Sequence, residues 1–233
     1  MANAPGPSHV KKAGSSDSRA QTLARLLLDI GAVELRPNDP FMWSSGLAAP
    51  IYCDNRLTLS HPPVRRVIRD GFCDILEENY LTDVTIAGTA TAGIPHAAWL
   101  AEAVDRPMVY VRSSAKGHGK QARIEGVLAA GDRVVVVEDL ISTGGSALDA
   151  VGALRDLGAT VRAVLAIFSY ELETAAVAFR EADVSRYVLT TFPTLIEVAH
   201  DRGDLSGAEL EALRAWREDP HEWSAQHGGI RPD

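Results

Sequence analysis

The stretch VVVVEDLISTGGSAL, from Val134 to Leu148, decides the fold. Four consecutive valines predict a strand that is buried on both faces of a sheet. Two carboxylates, Glu138 and Asp139, follow at the predicted carboxyl end of that strand, and hydroxyl residues and glycines then lead into a helix. Small residues let backbone N–H groups close on an anion at the amino end of a helix. The stretch therefore predicts a phosphate site beside two acids.

Strand and helix patterns alternate on both sides of this stretch. The other predicted strands are VTIAG at 84–88, MVYVR at 108–112, TVRAVLAIFS at 160–169 and RYVLTTF at 186–192. Apolar strands separated by helices are typical of an α/β, doubly wound fold with a mainly parallel sheet. Ligands bind beyond the carboxyl ends of the strands in such sheets. A phosphate next to two acids at that edge indicates a sugar phosphate, whose hydroxyls would face the carboxylates.

Composition narrows the class of protein. The chain has 233 residues, 46% of them hydrophobic, and a formal net charge of −8, which predicts one main globular domain. The acidic balance argues against a nucleic-acid partner, because binding to a phosphate backbone needs a basic face. The chain contains two cysteines and no apolar run of membrane-spanning length. We therefore expect a soluble, cytoplasmic protein without a membrane partner.

Three stretches together resemble one family in their order and spacing. They are FMWSSGLAAPIYCDNRLTLS at 41–60, GTATAGIPHAAW at 88–99 with MVYVRSSAKGHGKQARIEG at 108–126, and VVVVEDLISTGGSAL at 134–148. The chain thus resembles the bacterial orotate phosphoribosyltransferases, members of the type I phosphoribosyltransferases, from its first helix to its last strand. The resemblance implies transfer of the 5-phosphoribosyl group from 5-phosphoribosyl 1-diphosphate to orotate, which gives orotidine 5′-monophosphate and diphosphate in pyrimidine (UMP) biosynthesis.

The resemblance also implies which residues bind the phosphoribosyl donor. Glu138 and Asp139 match the acidic pair that holds the ribose hydroxyls near the reacting carbon. The remaining donor-binding positions are Leu140, Ile141, Ser142, Thr143, Gly144, Gly145 and Ser146 around the 5-phosphate, and Thr89, Ala90 and Thr91 in the diphosphate loop. Taken alone, the acids also fit a strand-end turn that caps the next helix, and the diphosphate loop also fits an ordinary strand-to-helix connection.

The segment RSSAKGHGKQAR, from Arg112 to Arg123, concentrates positive charge in an acidic protein. In the family this loop closes over the active site of the neighbouring subunit, so the resemblance implies a homodimer. Arg112, Lys116 and His118 match its donor-binding positions, and Lys116 and His118 are the expected catalytic partners of the leaving diphosphate, beside the acidic pair. A solvated basic loop is the alternative.

The basic loop also departs from the family pattern. Relatives often carry a second lysine where Ser113 or Ser114 stands here. The share of diphosphate binding that falls to Arg112, Lys120 and Arg123 is therefore open.

Orotate binding is assigned by the same resemblance. The positions are Ser142, Ser45, Asp54, Asn55 and Arg56, with Phe168 to Glu171 as a second wall. Mg²⁺ is the expected cofactor, and because it keeps several waters it would be held mainly by substrate oxygens without dedicated protein ligands. Two other functions stay open: a regulator that binds the donor without turnover, and a phosphoribosyltransferase for another base.

We expect four segments along the chain. Residues 1–17 are predicted to be a disordered tail, with the first helix starting at a capping box of Ser18 and Gln21. Residues 18–60 contain that helix and the lid over the base, which we call the hood. Residues 61–200 form the phosphoribosyltransferase core, and 201–233 a helical appendage and tail.

Overall fold

The computed structural model describes residues 14–43, 45–114 and 123–229 of the chain. In chain order the elements are α1 Gly14–Asp29, β1 Val33–Leu35, β2 Phe41–Met42, β3 Ala48–Ala49, β4 Ile51–Cys53, a 3-10 helix Asn55–Ser60, α2 Pro62–Glu78, β5 Thr85–Thr89, α3 Gly93–Val104, β6 Met108–Val111, β7 Ile124–Glu125, β8 Arg133–Ile141, α4 Gly145–Asp156, β9 Thr160–Ser169, α5 Glu173–Glu181, β10 Ser185–Thr191, α6 Phe192–Asp201, α7 Gly207–Glu218 and α8 Pro220–Gln226.

A six-stranded sheet in the order β10-β9-β8-β5-β6-β7 organises the molecule. All neighbouring strands are parallel except the edge pair of β6 and β7. The chain runs from β5 outward to β6 and then returns to build β8, β9 and β10 on the other side. The strand order therefore reverses between β5 and β8, which is where such sheets bind ligands. The predicted doubly wound, mainly parallel α/β fold is confirmed.

Helices cover both faces of the sheet, which explains why its central strands are apolar without alternation. The valines 134–137 of β8 are fully buried and divide between two hydrophobic cores. One core lies under α1, α2, α3 and the hood, and the other lies under α4 and α5. Among the described helices, none combines the length and apolar character needed to cross a bilayer.

Several predicted boundaries were wrong. Helix α1 begins at Gly14, so Ser18 lies inside it, where its carbonyl oxygen accepts a hydrogen bond from the hydroxyl of Thr22 at 2.8 Å. Residues 1–13, the rest of the predicted tail, lie outside the described residues. Strand β8 continues to Ile141 because β9 pairs with it that far, so the two acids lie within the strand. Phe192, expected to be the last residue of a strand, is the first residue of helix α6.

The C-terminal appendage holds the hood in place. Helices α7 and α8 pack on α6 and β3, and the capping box of Ser206 and Glu209 at the start of α7 is present. The hood itself consists of β1 to β4 and the 3-10 helix, with β1 paired to β4 and β2 paired to β3. The backbone N–H of Ala48 in β3 donates to the hydroxyl of Ser224 in α8 at 2.9 Å, in a buried position.

We predict that Ser224→Ala destabilises the protein. The substitution leaves the buried N–H of Ala48 without its acceptor, which costs about 1–3 kcal/mol of unfolding free energy. Denaturant unfolding measures the loss. Ser185→Ala is the matched control, because Ser185 is exposed at the start of β10, and its unfolding free energy should stay within about 0.5 kcal/mol of the parent value. Equal stability of the two variants would contradict the assignment.

Candidate active site

The two carboxylates lie where the strand order reverses. The Thr89 hydroxyl, at the end of β5, lies 2.7 Å from Oε1 of Glu138 and 3.1 Å from the carbonyl oxygen of Val137. The backbone N–H of Asp139 also donates to Oε1 of Glu138 at 3.0 Å. Glu138 is 5% exposed, and its other oxygen, Oε2, has no partner among the described residues. One carboxylate oxygen is therefore fixed by the protein, and the other is left for a ligand.

Gly93 allows the start of α3 to lie close to the ends of β5 and β8. A Cβ atom at Gly93 would collide with the carbonyl oxygen of Val137 and the hydroxyl of Thr89. The first turn of α3 therefore packs directly against β8, beneath the acidic pair.

Asp139 is strongly influenced by its environment. The pKa of its carboxyl group is raised to about 7, first by burial and then by the neighbouring charge of Glu138 and a hydrogen bond with that side chain. Two adjacent acids in a partly desolvated position create a strongly negative local potential. Such a site favours hydroxyl donors or a positive charge.

A buried asparagine supports the acidic strand from the hood. The side-chain N–H of Asn55 donates to the carbonyl oxygen of Asp139 at 2.8 Å, and Oδ1 of Asn55 has no partner among the described residues. The Thr58 hydroxyl donates to the carbonyl oxygen of Asn55 at 2.6 Å and lies 3.3 Å from Nε2 of His96. Burial, with a smaller effect of Arg65, lowers the pKa of His96 to about 4. His96 is therefore neutral at physiological pH and suits a structural position.

The turn after β8 has the geometry of an anion site. Gly144 lies in the left-handed region, with φ +87°, directly before α4. In the described residues, the backbone N–H groups of Thr143 and Gly144 have no protein acceptor. Thr143, Gly145 and Ser146 are exposed, and the first turn of α4 contains no acid. Free amides and an unopposed helix dipole favour a phosphate at this turn.

The loop after β5 is partly committed to internal contacts. The Thr89 hydroxyl faces Glu138, and the N–H of Ala90 donates to the carbonyl oxygen of Val111 at 2.8 Å. Thr91 is exposed, and the peptide bond that precedes it is cis. Of the three residues predicted for the diphosphate loop, Thr91 is thus the most accessible, and the binding roles stay predictions.

The two ends of the basic loop are joined at its base. The N–H of Arg112 donates to the carbonyl oxygen of Arg123 at 2.7 Å, and the Arg123 guanidinium donates to the carbonyl oxygen of Arg112 and to both oxygens of Asp149 in α4. Arg112 pairs with Glu125 at 3.3 Å. The three candidate cations Lys116, His118 and Lys120 lie outside the described residues. The sequence left open whether Arg123 binds diphosphate. In the structure its guanidinium joins the base of the loop to α4.

A cleft of about 420 Å³ opens between the hood and the ends of the strands. Its lining residues are Met42, Trp43, Ser45, Tyr52, Cys53, Leu140, Ser142 and Tyr170. The predicted base-binding residues Ser45 and Ser142 are therefore brought together.

The other three residues predicted for the base lie outside the lining. Asp54 and Arg56 form an ion pair with each other at 2.6 Å, and Asn55 is buried against β8. The lining residues Met42, Tyr52, Cys53 and Tyr170 were not among the predicted ligands. The signal available for Tyr170 was its place in the predicted second wall, 168–171.

Comparison with known proteins identifies the family. A model of the phosphoribosyl transferase domain matches residues 58–187. The chain is 56% identical over 200 residues to an orotate phosphoribosyltransferase of Halalkalibacterium halodurans, which covers 86% of this chain and 95% of that protein. The chain belongs to the orotate phosphoribosyltransferase family. This confirms the resemblance noted in the sequence.

Solved structures of orotate phosphoribosyltransferases share the fold. The Aeropyrum pernix protein superposes with a TM-score of 0.68 at 32% identity, over 79% of this chain and 99% of that chain. The Mycobacterium tuberculosis protein, solved in complex with 5-phospho-α-D-ribosyl 1-diphosphate, superposes with a TM-score of 0.60 at 25% identity, over 76% of this chain and 98% of that chain.

We predict that Asp139→Asn stabilises the protein at neutral and alkaline pH. The pKa of Asp139 in the folded chain, about 7, exceeds the value of about 4 expected in the unfolded chain. The stability contributed by the bound proton is therefore complete below about pH 4 and is lost as the pH rises through about 7. At pH 8 the variant should exceed the parent in unfolding free energy by on the order of 1–2 kcal/mol, allowing for the partial exposure of Asp139.

Denaturant unfolding of both proteins between pH 5 and pH 8 measures this difference, which should shrink towards the acid end. Asp39→Asn, which changes an exposed acid of the hood, is the control and should show no such trend. A constant difference across the range would contradict the titration of Asp139.

We predict that Gly144→Ala damages the turn at residues 142–144, between β8 and α4, which we call the phosphate turn. A side chain is strained at φ +87°, and its Cβ would lie 2.8 Å from the ring of Phe179, so the unfolding free energy should fall by about 1–3 kcal/mol. The Michaelis constant for the phosphoribosyl donor should rise. Gly152→Ala is the matched control in the same helix, because a Cβ there meets nothing within 4 Å, and it should stabilise α4 by about 0.5–1 kcal/mol. A donor constant unchanged in Gly144→Ala would argue against phosphate binding at this turn.

Proposed function

We propose that the protein catalyses the transfer of the 5-phosphoribosyl group from 5-phosphoribosyl 1-diphosphate to N1 of orotate, with release of diphosphate, in pyrimidine biosynthesis. The observation that carries the proposal is the acidic pair Glu138–Asp139 directly before an exposed turn with free amides, in a chain of this family. The turn suits the 5-phosphate, and the acids suit the ribose. Both lie at the edge of the base cleft, since Ser142 lines the cleft and begins the turn.

The acidic pair would act on the ribose. Cleavage of the bond between C1 and the diphosphate oxygen leaves the sugar with oxocarbenium character. The unpartnered Oε2 of Glu138 and the carboxylate of Asp139 would accept hydrogen bonds from the ribose hydroxyls. The negative charge of the pair would favour the developing cation more than the neutral ribose of the ground state.

The basic loop would act on the leaving group. We assign Lys116 and His118 to the diphosphate, with Arg112 beside them, because the leaving diphosphate gains negative charge as the bond breaks. Hydrogen bonds from charged donors strengthen as that charge develops. The ion pair of Arg123 with Asp149 supports this assignment, since it ties the base of the loop to the helix that follows the phosphate turn.

Mg²⁺ fits the site as an ion held mainly by substrate oxygens. Among the described residues no group of three His, Cys, Asp or Glu side chains converges on one point. The carboxylates Glu138 and Asp139 are hard oxygen ligands of the kind this ion accepts, directly or through water. When bound, the ion would neutralise part of the diphosphate charge.

We extend the proposal to a homodimer and to the cytoplasm. The basic loop connects β6 to β7, and β7 is the edge strand of the sheet. A loop that leaves at the edge is suitably placed to reach a neighbouring subunit. Cys53 and Cys73 are both unpaired, as expected in a reducing compartment.

The decisive experiment follows the loss of orotate absorbance when the purified protein is mixed with 5-phosphoribosyl 1-diphosphate, Mg²⁺ and orotate. Uracil, hypoxanthine and adenine are tested in parallel. We expect turnover of orotate alone, and a fall in kcat of about 10- to 100-fold in Lys116→Ala, from the loss of a charge-assisted hydrogen bond.

The control is Arg180→Ala, which removes a positive charge from the exposed surface of α5 and should leave kcat unchanged. Turnover of a different base would move the protein elsewhere in the superfamily. Donor binding without turnover of any base would favour the regulator instead.

A further inference from the structure

Tyr170 occupies a fixed position at the floor of the base cleft. It follows β9 directly, and its backbone N–H donates to the carbonyl oxygen of Ile141 at 3.0 Å. The side chain is 2% exposed. Its ring contacts four other aromatic rings, with centroid distances of 5.7 Å to Trp43, 5.5 Å to Phe168, 6.4 Å to Phe192 and 5.6 Å to Trp216. The orientation of the phenol is therefore set by packing.

The hydroxyl of Tyr170 is available to a ligand. Tyr170 lines the cleft together with Ser142 and Leu140, and in the described part of the chain no group forms a hydrogen bond with its phenolic oxygen. Burial raises the pKa of this hydroxyl well above its usual value. The group therefore remains a protonated donor at the surface of the cleft, where a ligand can accept its hydrogen bond.

The cleft contains no positive charge among its described lining residues. Arg56 pairs with Asp54, and Arg186 pairs with Glu171, so each of these guanidinium groups already has a carboxylate partner and neither lines the cleft. Orotate is nevertheless an anion, and its carboxylate must find donors once it leaves water. Hydroxyl groups are the donors that this cleft offers.

The chemistry of orotate places its carboxylate close to Tyr170. The carboxylate is attached to C6, the ring atom next to the reacting N1, so it must lie near the ribose and hence near Asp139. Tyr170 lines the cleft together with Leu140, the residue next to Asp139, and its backbone N–H donates to the carbonyl oxygen of Ile141. A cation at that point would be drawn into an ion pair with the acids, whereas a neutral phenol leaves Glu138 and Asp139 free for the sugar.

We infer that the Tyr170 hydroxyl donates a hydrogen bond to the carboxylate of orotate and so distinguishes orotate from uracil, which lacks that group. This role rests on the proposed function. It makes Tyr170 a specificity-determining residue that binds the base through a neutral donor.

A thermodynamic cycle tests the inference. One arm changes the protein, from Tyr170 to Phe, which removes the hydroxyl and keeps the ring. The other arm changes the ligand, from orotidine 5′-monophosphate to uridine 5′-monophosphate, which removes the carboxylate and keeps the rest. Titration calorimetry on the full chain measures all four affinities. We expect Tyr170→Phe to lower the affinity for orotidine 5′-monophosphate by about 10- to 100-fold. The affinity for uridine 5′-monophosphate should fall by about threefold or less.

Three further variants make the result specific. Tyr187→Phe removes a phenol from β10, outside the cleft lining, and should leave all affinities unchanged. Tyr52→Phe and Ser142→Ala remove the competing hydroxyls of the cleft. Equal weakening of both nucleotides by Tyr170→Phe would overturn the inference, as would a carboxylate-dependent loss in Tyr52→Phe or Ser142→Ala but not in Tyr170→Phe.

A different result would contradict the proposed function. If the unsubstituted protein does not turn over orotate, the proposed function itself is wrong. If the unsubstituted protein turns over orotate but the Tyr170→Phe variant keeps the same preference for orotidine 5′-monophosphate, only the role of Tyr170 is wrong.

Discussion

The hydrogen bond between the Thr89 hydroxyl and Oε1 of Glu138 is the contact on which the site depends. It joins the ends of β5 and β8, the two strands between which the sheet order reverses. A buried carboxylate is costly without hydrogen bonds, and here Thr89 and the N–H of Asp139 satisfy one oxygen only. The glycine at position 93 allows the helix that follows to pack close enough to keep this geometry. The fold thus tolerates a carboxylate oxygen that residues 14–43, 45–114 and 123–229 leave unsatisfied.

The site combines two structural units of different character. The sheet supplies the acidic pair and the phosphate turn, both at the ends of well-packed strands. The hood supplies most of the lining of the cleft, and its strands are only two or three residues long. Asn55 links the two units through its hydrogen bond to the carbonyl oxygen of Asp139, and the aromatic contact between Trp43 and Tyr170 links them again across the cleft. Displacement of the hood would therefore disturb β8 at the acidic pair as well as the cleft.

The sequence predicted the strands of the sheet and the position of the two acids well, because both depend on local pattern. Four valines in succession require burial on two faces, and a glycine such as Gly144 before a helix indicates a turn that needs a positive φ. The residues that line the cleft were much harder to predict. Asp54 and Arg56 look like polar ligands in the sequence, yet they neutralise each other in the folded chain. The importance of Tyr170 depends on rings from distant parts of the chain, and no local pattern encodes that arrangement.

The hydrogen bond between Ala48 and Ser224 joins residues that are 176 positions apart in the chain. The hood is therefore synthesised early, whereas α8, the helix that anchors it, is synthesised after the whole core. A nascent chain that has completed the acidic pair and the phosphate turn still lacks the support of its cleft. Binding of the sugar phosphate is therefore expected to become feasible earlier in biosynthesis than binding of the base, which needs the support that α8 gives to the hood.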